Sequence, residues 1–255
     1  AKSSRLTSGW NPSNSSADVE LVNSLTMLRS RSRQLVRDAG YAKRARTIVV
    51  NNVIGTGIGL QAQVRGTRGE FRDPVNDEIE ERWCEWSEAE NCHIGGRLHF
   101  ADFERQCMSQ VFEAGEVLIR KHARDVGRSG IPFTLELIEA ERIADQLQSS
   151  TLAAQNGNEI RMGVEVDRYH RPVAYWIRQR HPSEVRFTGG QTDWVERVDA
   201  SEIIHLAQID RWPQTRGEPW LHATARTLND MSGYTEAEIT RARVKACSVG
   251  AIETP

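Results

Sequence analysis

With 255 residues and 38% hydrophobic side chains, the chain is long enough to bury the core of one large domain or two smaller ones, so disorder throughout is excluded. Its net charge of −2 gives no overall attraction to nucleic acid or anionic lipid. That average hides two charged blocks, because residues 1–69 carry 11 basic and 3 acidic side chains whereas residues 70–116 carry 4 and 13. Neighbouring blocks of opposite sign predict contacts between copies of the chain, or with a partner that meets only one block.

The cysteines and the apolar runs indicate the compartment. The four cysteines show no short-framework spacing, which favours free thiols in a reducing compartment over a disulfide scaffold. No stretch approaches the ~18 consecutive apolar residues of a membrane span. The sequence therefore predicts a soluble chain without a membrane partner.

The N-terminal part is predicted to be an arm followed by a helix. Residues 1–17 are rich in Ser, Asn, Gly and Thr without a hydrophobic period, which is typical of a flexible arm. From Asp18, the expected N-cap, apolar residues recur at helical spacing as far as Ala39. Gly40 is expected to interrupt or end this helix.

A second helix is predicted from Ala42 to Val53, followed by a cluster of glycines at 55, 57 and 59 and a strand over 60–64. A dinucleotide-binding turn requires the spacing Gly-x-Gly-x-x-Gly and a helix directly after it. The observed spacing is Gly-x-Gly-x-Gly and a strand is expected next, so the cluster favours a turn that ends the helix. A nucleotide-dependent enzyme built on this turn stays open as an alternative.

Two further helices are expected before the pattern changes. An acidic helix is predicted from Pro74 to about Glu90, with Pro in its first turn. Another is predicted from Phe100 to Ala114, where Gly115 ends it. The hydrophobic period then becomes two-fold, and the predicted strands are Val117–Lys121, Phe133–Ile138, Arg161–Asp167, Val173–Gln179, Val195–Val198 and Ile203–Ala207.

The remaining segments connect these strands and follow them. Residues 168–172 are predicted to close a hairpin, and the polar residues 146–158 to form a loop. A long helix is predicted from about Pro219 to Ala246, with Gly233 as its weak point. The predicted fold class is α+β.

Catalytic and metal-binding patterns are weak. Zinc sites pair their ligands two to four residues apart and then repeat the pair, whereas Cys84, Cys92, His93 and His99 offer only one adjacent pair. The sequence contains no nucleophile elbow, zincin or Walker motif. We therefore predict no enzyme, no cofactor and no metal.

The strongest physical lead is a set of basic residues on the first two helices. Helical arginines can contact duplex phosphates, meet an acidic neighbour, or form a plain solvated face. All three interpretations stay open. The candidate inter-subunit or DNA-proximal residues are Arg29, Arg31, Arg33, Arg37, Lys43, Arg44 and Arg46.

Several stretches in order resemble the portal proteins of tailed bacteriophages, specifically the lambda-type portal family. The resemblance extends from about Val19 to Ala246. Its main pieces are Leu28–Arg37, Gly40–Ala42, Val53–Gln61, Trp83 and Trp86 before Cys92, Phe112–Glu116, Ile138–Ile143, Gly163–Asp167, Ala200–His205 and Arg211–Pro219.

This resemblance implies a dodecameric ring at one capsid vertex, around the channel through which double-stranded DNA is packaged and ejected without sequence-specific contacts. It implies docking of the terminase motor and of capsid, neck and tail adaptor proteins, a place in the virion, assembly in the host cytoplasm, and no catalytic residues. The alternative function is a nucleic-acid-binding module that uses the basic helices of residues 18–54.

The family's architecture implies three regions. These are a flexible N-terminal arm at 1–17, a wing-like α+β domain with a strand-rich part at 18–214, and a stem-leading helix at 215–255. Because the chain has about half the length expected for the family, it is expected to be incomplete at the C-terminus and to stop before the clip.

In a ring, a basic surface on one subunit would meet an acidic surface on the next. The candidate acidic residues are Glu78, Glu80, Glu81, Glu85, Glu88 and Glu90. The candidate stem or channel residues are Glu236, Glu238, Arg241, Arg243 and Lys245.

Overall fold

A computed structural model describes residues 14–148, 157–184 and 194–247. It shows an α+β fold, as expected. The helices are α1 (Ala17–Val22), α2 (Leu25–Asp38), α3 (Gly40–Ile54), α4 (Asp73–Ser87), α5 (Ala89–Cys92), α6 (Phe100–Ala114) and α7 (Ala225–Cys247). The strands are β1 (Glu116–His122), β2 (Thr134–Glu139), β3 (Glu159–Arg161), β4 (Val164–Val166), β5 (Pro172–Arg178), β6 (Val195–Asp199) and β7 (Ile203–Ala207).

The chain folds into two compact units that each draw on distant parts of the sequence. Unit 1 takes its described residues from 1–26, 141–200 and 209–217. Unit 2 takes them from 27–140, 201–208 and 218–255. The arm, wing and stem division stays a prediction, and residues 1–13 of the predicted arm lie outside the described residues.

Unit 2 is built around an antiparallel sheet with the strand order β2-β1-β7. The aromatic face of α4 and the inner face of α6 cover this sheet, and their side chains form one core cluster with Trp86, Phe103, Cys107 and Val117 at its centre. A second cluster joins the α2–α3 junction to Phe112 and Leu221. The core of unit 2 is therefore made mainly by helices that precede the sheet in the sequence.

Gly115 ends α6 as predicted, in a left-handed conformation with φ 85°. Only a residue without a Cβ fits there, because a Cβ would lie 2.2 Å from the backbone carbon of Glu218. This glycine turns the chain directly from α6 into β1.

Unit 1 contains the antiparallel sheet β3-β4-β5-β6 together with α1. The predicted hairpin is confirmed as β4 and β5. The predicted strand Arg161–Asp167 is wrong as a single element, because Met162 (φ 45°) and Gly163 (φ 79°) turn the chain between β3 and β4. The side chain of Arg216 is fully buried in this unit and donates to the carbonyl oxygen of Met162 over 2.7 Å.

Asp18 is not the N-cap of the first helix, as was predicted, but a hydrogen-bond acceptor inside it. The N-cap of α1 is Ser16, whose hydroxyl accepts from the amide of Val19. Asp18 lies inside the helix and accepts hydrogen bonds of 2.7 Å from both the amide and the hydroxyl of Thr215, and a longer one from Arg161. It thereby ties α1 to the segment that follows residue 209 within unit 1.

Other boundaries also differ from prediction. The helix predicted over 18–39 is divided at residues 23–24 into α1 and α2. Residues 60–64 form no strand with the described residues, because amides of this segment donate to side chains of α4 instead. The long helix begins at Ala225 after a series of turns, and most of the predicted loop at 146–158 lies outside the described residues. No described helix is long and apolar enough to span a membrane.

Candidate functional site

The predicted basic residues lie on α2 and α3, and the structure separates them by burial. The structure removes Arg29 from the candidate inter-subunit or DNA-proximal residues, because its side chain is only 2% exposed. It forms a salt bridge with the fully buried Glu116 on β1, and its Nε donates to the carbonyl oxygen of Ala114 over 3.2 Å. His205 on β7 lies 3.0 Å from the other carboxylate oxygen of Glu116. Arg29 is therefore an internal cation of unit 2.

Arg33 and Arg46 are also occupied within the chain, although less deeply. Arg33 lies 3.5 Å from Glu139 and donates to Gln110 over 2.9 Å. Arg46 pairs with Glu113 at 2.7 Å, where the two side chains are 30% and 13% exposed. Both arginines therefore join α2 or α3 to other elements of unit 2.

The other four basic residues, Arg31, Arg37, Lys43 and Arg44, are exposed. Arg37 pairs with Asp38 at 2.8 Å, and its hydrogen bond lowers the pKa of the Asp38 carboxyl below the ordinary value. Arg31 lines a groove with His222 and Arg226, next to the start of α7. Arg44 lines a second groove with residues of α7 that include Arg243. The free basic surface is therefore smaller than predicted and borders α7.

The predicted acidic residues remain largely on the surface of α4 and α5. Five of them, Glu78, Glu81, Glu85, Glu88 and Glu90, are exposed. Glu80 is half-buried and accepts from the amide of Ala62 over 2.9 Å. The opposite side of α4 is apolar, and Trp83 and Trp86 lie with ring centroids 5.3 Å from that of Phe100. The helix is thus anchored by aromatic packing and turns its acids outward.

The glycine cluster ends α3, as the spacing favoured. Gly55 adopts a positive φ of 58°, and its amide closes the helix on Asn51. The amide of Ile58 donates to a carboxylate oxygen of Glu104 over 3.0 Å. A phosphate would meet this negative charge at the same place, so the turn is unsuited to holding a nucleotide.

Three of the four residues considered as metal ligands have local partners. The thiol of Cys92 is buried and lies within hydrogen-bond distance of two backbone carbonyls, and burial raises its pKa to about 11. His99 is the N-cap of α6, and His93 accepts from the amide of Arg97. Cys84 is exposed. Cys92, His93 and His99 therefore stabilise the ends of helices and turns.

The stem candidates lie on α7, which differs from every other long helix of unit 2. None of its 23 residues is buried. Only its first turns touch a core, where Ala225 and Leu228 pack against the α2–α3 junction. Among the candidates, Glu238 and Arg241 form an ion pair of 3.2 Å, and Glu236, Arg243 and Lys245 are exposed. Beyond Leu228 the helix lies on the protein surface and packs against neither core cluster.

The chain matches the family described as "Phage portal protein, lambda family" over residues 3–255. The chain belongs to this family. The resemblance seen in the separate motifs is therefore confirmed over nearly the whole sequence.

Two curated relatives of this portal-family chain are portal proteins by name. It is 31% identical to the "Probable portal protein" of Halomonas phage phiHAP-1 over 256 residues, which cover 99% of this chain and 48% of that protein. It is 22% identical to "Portal protein B" of Escherichia phage lambda, covering 96% of this chain and 46% of that protein. The chain thus spans about half the length of both relatives.

Two similar solved structures come from gene transfer agent particles. One is the neck of an empty GTA particle computed with C6 symmetry, with a TM-score of 0.48 and 14% identity over 88% of this chain and 48% of that one. The other is the virion of a native GTA particle, with a TM-score of 0.47 and 14% identity over 89% and 46%.

Sequence reasoning missed the buried network of Arg29, Glu116 and His205. A signal for it was present, because Arg29 lies four residues after Leu25 and seven before Val36, on the apolar stripe of its helix. Glu116 is the first residue of β1 and directly precedes its apolar residues Val117, Leu118 and Ile119. A charge on an apolar face predicts a buried partner of opposite sign.

Proposed function

We propose that the chain is part of a structural subunit of a phage portal ring at one capsid vertex. In this proposal identical subunits surround the channel for DNA packaging and ejection, and the ring docks the terminase motor and the neck and tail proteins. The subunit performs no catalysis, acts within the virion and is assembled in the host cytoplasm. Family membership supports the proposal, and the exposure of α7 is the observation that carries it.

The exposed part of α7 presents large apolar side chains to solvent. Four large apolar side chains, Met231, Tyr234, Ile239 and Val244, are between 42% and 68% exposed. The helix is about 35 Å long at 1.5 Å per residue, and only its first turns pack against a core cluster. Most helical stability in proteins comes from packing, so a helix of this kind is expected to gain its packing partners by assembly.

Most of the apolar and small residues of α7 form two stripes on opposite sides, and Tyr234 lies between them. Successive residues of a helix are rotated by about 100°. One stripe contains Leu228, Met231, Thr235 and Ile239, and the other contains Gly233, Ala237, Thr240 and Val244. Their centres are about 165° apart at this rotation. A helix between two neighbours needs two such faces, and a closed heterologous ring supplies one neighbour on each side.

The charges on α7 fit a channel for DNA better than a surface that recognises a specific DNA sequence. The exposed part carries charges of both signs, with Glu236 and Glu238 followed by Arg241, Arg243 and Lys245, and Glu238 forms an ion pair with Arg241. Sequence readout would need several side chains that reach base edges. We therefore propose contact with DNA that is weak, sensitive to salt and independent of sequence.

The remaining basic and acidic surfaces give the ring its orientation in this proposal. Arg31, Lys43 and Arg44 of one subunit face the acidic surface of α4 on the next, with Glu78 and Glu81 as the central partners. Such complementarity fixes register and partner choice more than it adds affinity. Arg29 takes no part, because it is buried with Glu116.

The mass of the native assembly tests this function. A solution of the purified chain should contain a closed ring whose mass is a large integer multiple of 28.8 kDa, with twelve copies expected. Images of the particle should show a central opening. A chain that stays monomeric at every concentration tested contradicts the ring.

DNA binding separates the portal from the alternative, a nucleic-acid-binding module that uses residues 18–54. The ring predicts weak binding of duplex DNA that disappears as salt increases and is equal for unrelated sequences. A monomer or dimer that binds one duplex sequence tightly in moderate salt supports the alternative and contradicts the portal.

A further inference from the structure

The segment between α3 and α4 is attached to its own unit through the amides of three even-numbered residues. The amide of Ile58 donates to Glu104 on α6, that of Ala62 donates to Glu80 on α4, and that of Val64 donates to Asn76 on α4. Such donors at even-numbered positions are typical of an extended chain, because successive amides of a strand point to opposite sides. These three amides therefore hold one edge of this segment to the body of unit 2.

The opposite edge of the same segment is open. The odd-numbered residues Gly59, Gln61 and Gln63 are exposed, and their backbone groups have no hydrogen-bond partner among the described residues. The side chains of Ile58, Leu60 and Val64 are also 69%, 41% and 37% exposed. The sequence pattern predicts a strand here, yet the segment lacks a strand to pair with.

A second open edge lies on β7, at the border of the sheet of unit 2. The amide of Gln208 donates to Gly115, and the pairing continues as Leu206 with Val117 and Ile204 with Ile119. The amides of Ile203 and Ala207 therefore point away from β1, toward the side of β7 on which the described part of the chain adds no further strand. Ile204 and Leu206 are 41% and 40% exposed on the outer face of this strand.

We infer that residues 58–64 of one copy pair as an antiparallel strand with β7 of the neighbouring copy. The inference rests on the proposed ring. The pairing that uses all outward-pointing positions places Gly59 opposite Ala207, Gln61 opposite His205 and Gln63 opposite Ile203. Leu60 then lies beside Leu206 on one face of the extended sheet, at the short Cβ separation of a non-hydrogen-bonded pair, about 4.5–5.5 Å.

The composition of both edges supports a second copy as the occupant. An exposed edge strand normally carries Lys, Pro or a bulge that prevents pairing with another chain. Residues 57–64 contain no charged residue and no proline, and neither does β7. Each copy thus has two unprotected strand edges at different places, one in residues 58–64 and one in β7. Repetition of this unequal contact continues from copy to copy, as a heterologous ring requires.

A pair of engineered cysteines tests the contact directly. The exposed native thiols are first removed in a C84S/C247S background, and the variant Leu60→Cys with Leu206→Cys is then oxidised in the assembled state. We expect a ladder of covalent multimers on a non-reducing gel, which reducing agent converts to monomer. Each single-cysteine variant should give no ladder, because the contact joins unlike positions.

The matched control places the first cysteine at Val53, which is 59% exposed on α3. Val53→Cys with Leu206→Cys should leave both thiols free in the same ring. A ladder of equal strength from this control shows that collision alone explains the cross-link, and overturns the inference.

Hydrogen exchange provides a second readout that needs no substitution. Assembly should slow exchange at the amides of Gly59, Gln61 and Gln63 and at those of Ile203 and Ala207. Exchange at Ile58, Ala62 and Val64 should change little, because these amides already have partners. Fast exchange at the odd-numbered amides in the intact ring contradicts the pairing.

Proline at position 61, in the middle of the extended segment, gives a quantitative test. Gln61→Pro removes an outward amide and still permits an extended backbone, whereas Gln61→Ala keeps the amide. The proline variant should need an about fivefold higher concentration to assemble, since each interface loses one hydrogen bond. If no ring forms with the unaltered chain, the proposed function fails. If the ring forms without ladder, protection or proline effect, only this pairing fails.

Discussion

Arg29 on α2 and Glu116 on β1 form a salt bridge with both side chains removed from solvent, 87 residues apart in the sequence. His205 approaches the same carboxylate from β7, so three elements of unit 2 meet at one buried charge. A buried pair of this kind contributes little if both partners are replaced together, but loss of one partner leaves an uncompensated charge. The bridge therefore fixes how α2 docks on the sheet.

Replacement of Arg29 should be strongly destabilising. We expect Arg29→Met to lower the free energy of unfolding by about 3–5 kcal/mol, because Glu116 stays buried without its cation. Arg31→Met, on the exposed side of the same helix, should change it by less than about 0.5 kcal/mol. Denaturant titration of both variants measures the difference. Equal effects would mean that the burial of Arg29 has no energetic consequence.

Alanine substitution at Gly115 and at Gly233 should change the stability of the protein in opposite directions. Gly115→Ala forces a Cβ against the backbone of Glu218 at positive φ, and should cost about 2–5 kcal/mol. Gly233→Ala lies inside α7 with open space around it, and should stabilise that helix by up to about 1 kcal/mol. Thermal unfolding followed by circular dichroism compares the two. A tolerated alanine at position 115 would contradict the close approach.

The stability of unit 1 should fall in acid through Glu165. Its carboxylate is buried and accepts hydrogen bonds from Arg197 at 2.8 Å and from Asn158 at 2.7 Å, and the Arg197 bond is the main reason that the pKa of Glu165 is lowered. A lowered folded-state pKa gives stability that is present above the ordinary value and lost as the pH falls through the folded value.

The experiment is denaturant unfolding at a series of pH values from neutral to below about 4, where an ordinary glutamate protonates. Arg197→Gln should flatten the acid-side dependence, whereas Arg124→Gln, at an exposed position of unit 2, should preserve it. An unchanged slope in Arg197→Gln would show that this pair does not cause the acid sensitivity.

The four cysteines should divide into two classes of reactivity. Burial raises the pKa of Cys92 to about 11 and that of Cys107 to about 12, so their thiolates are scarce at pH 8. Cys84 and Cys247 are exposed. A maleimide titration of the native chain should modify two thiols, and denaturant should release the other two. In the C84S/C247S variant, native modification should fall to zero, and rapid labelling there would refute the assignment.

Charge reversal tests the proposed orientation of the ring. Lys43→Glu with Arg44→Glu should prevent assembly, because like charges would then meet at each interface. Addition of Glu78→Lys and Glu81→Lys in the same chain should restore it. Native mass measurement at low salt gives the readout. If the first variant assembles as well as the unaltered chain, or if the second does not recover assembly, these residues do not lie at the interface.

The local elements were predictable because their causes are local. The span of α6, the stop at Gly115 and the hairpin of β4 and β5 follow from hydrophobic period and turn residues, and the structure has them within a residue or two. The same signals could not separate Ser16 from Asp18 as the N-cap. Both residue types favour that position, and the distant Thr215 is what engages Asp18.

The sequence by itself determined the family, the α+β class and the places where helices end. Tertiary structure alone decided which charges are surface charges: Arg29 is buried by Glu116, whereas Arg44 is exposed near α7. It also decided that residues 60–64, which alternate as a strand does, stay without a strand partner among the described residues. The physical reason is the same in both cases. Burial and strand pairing depend on groups far away in the sequence, which no local pattern specifies.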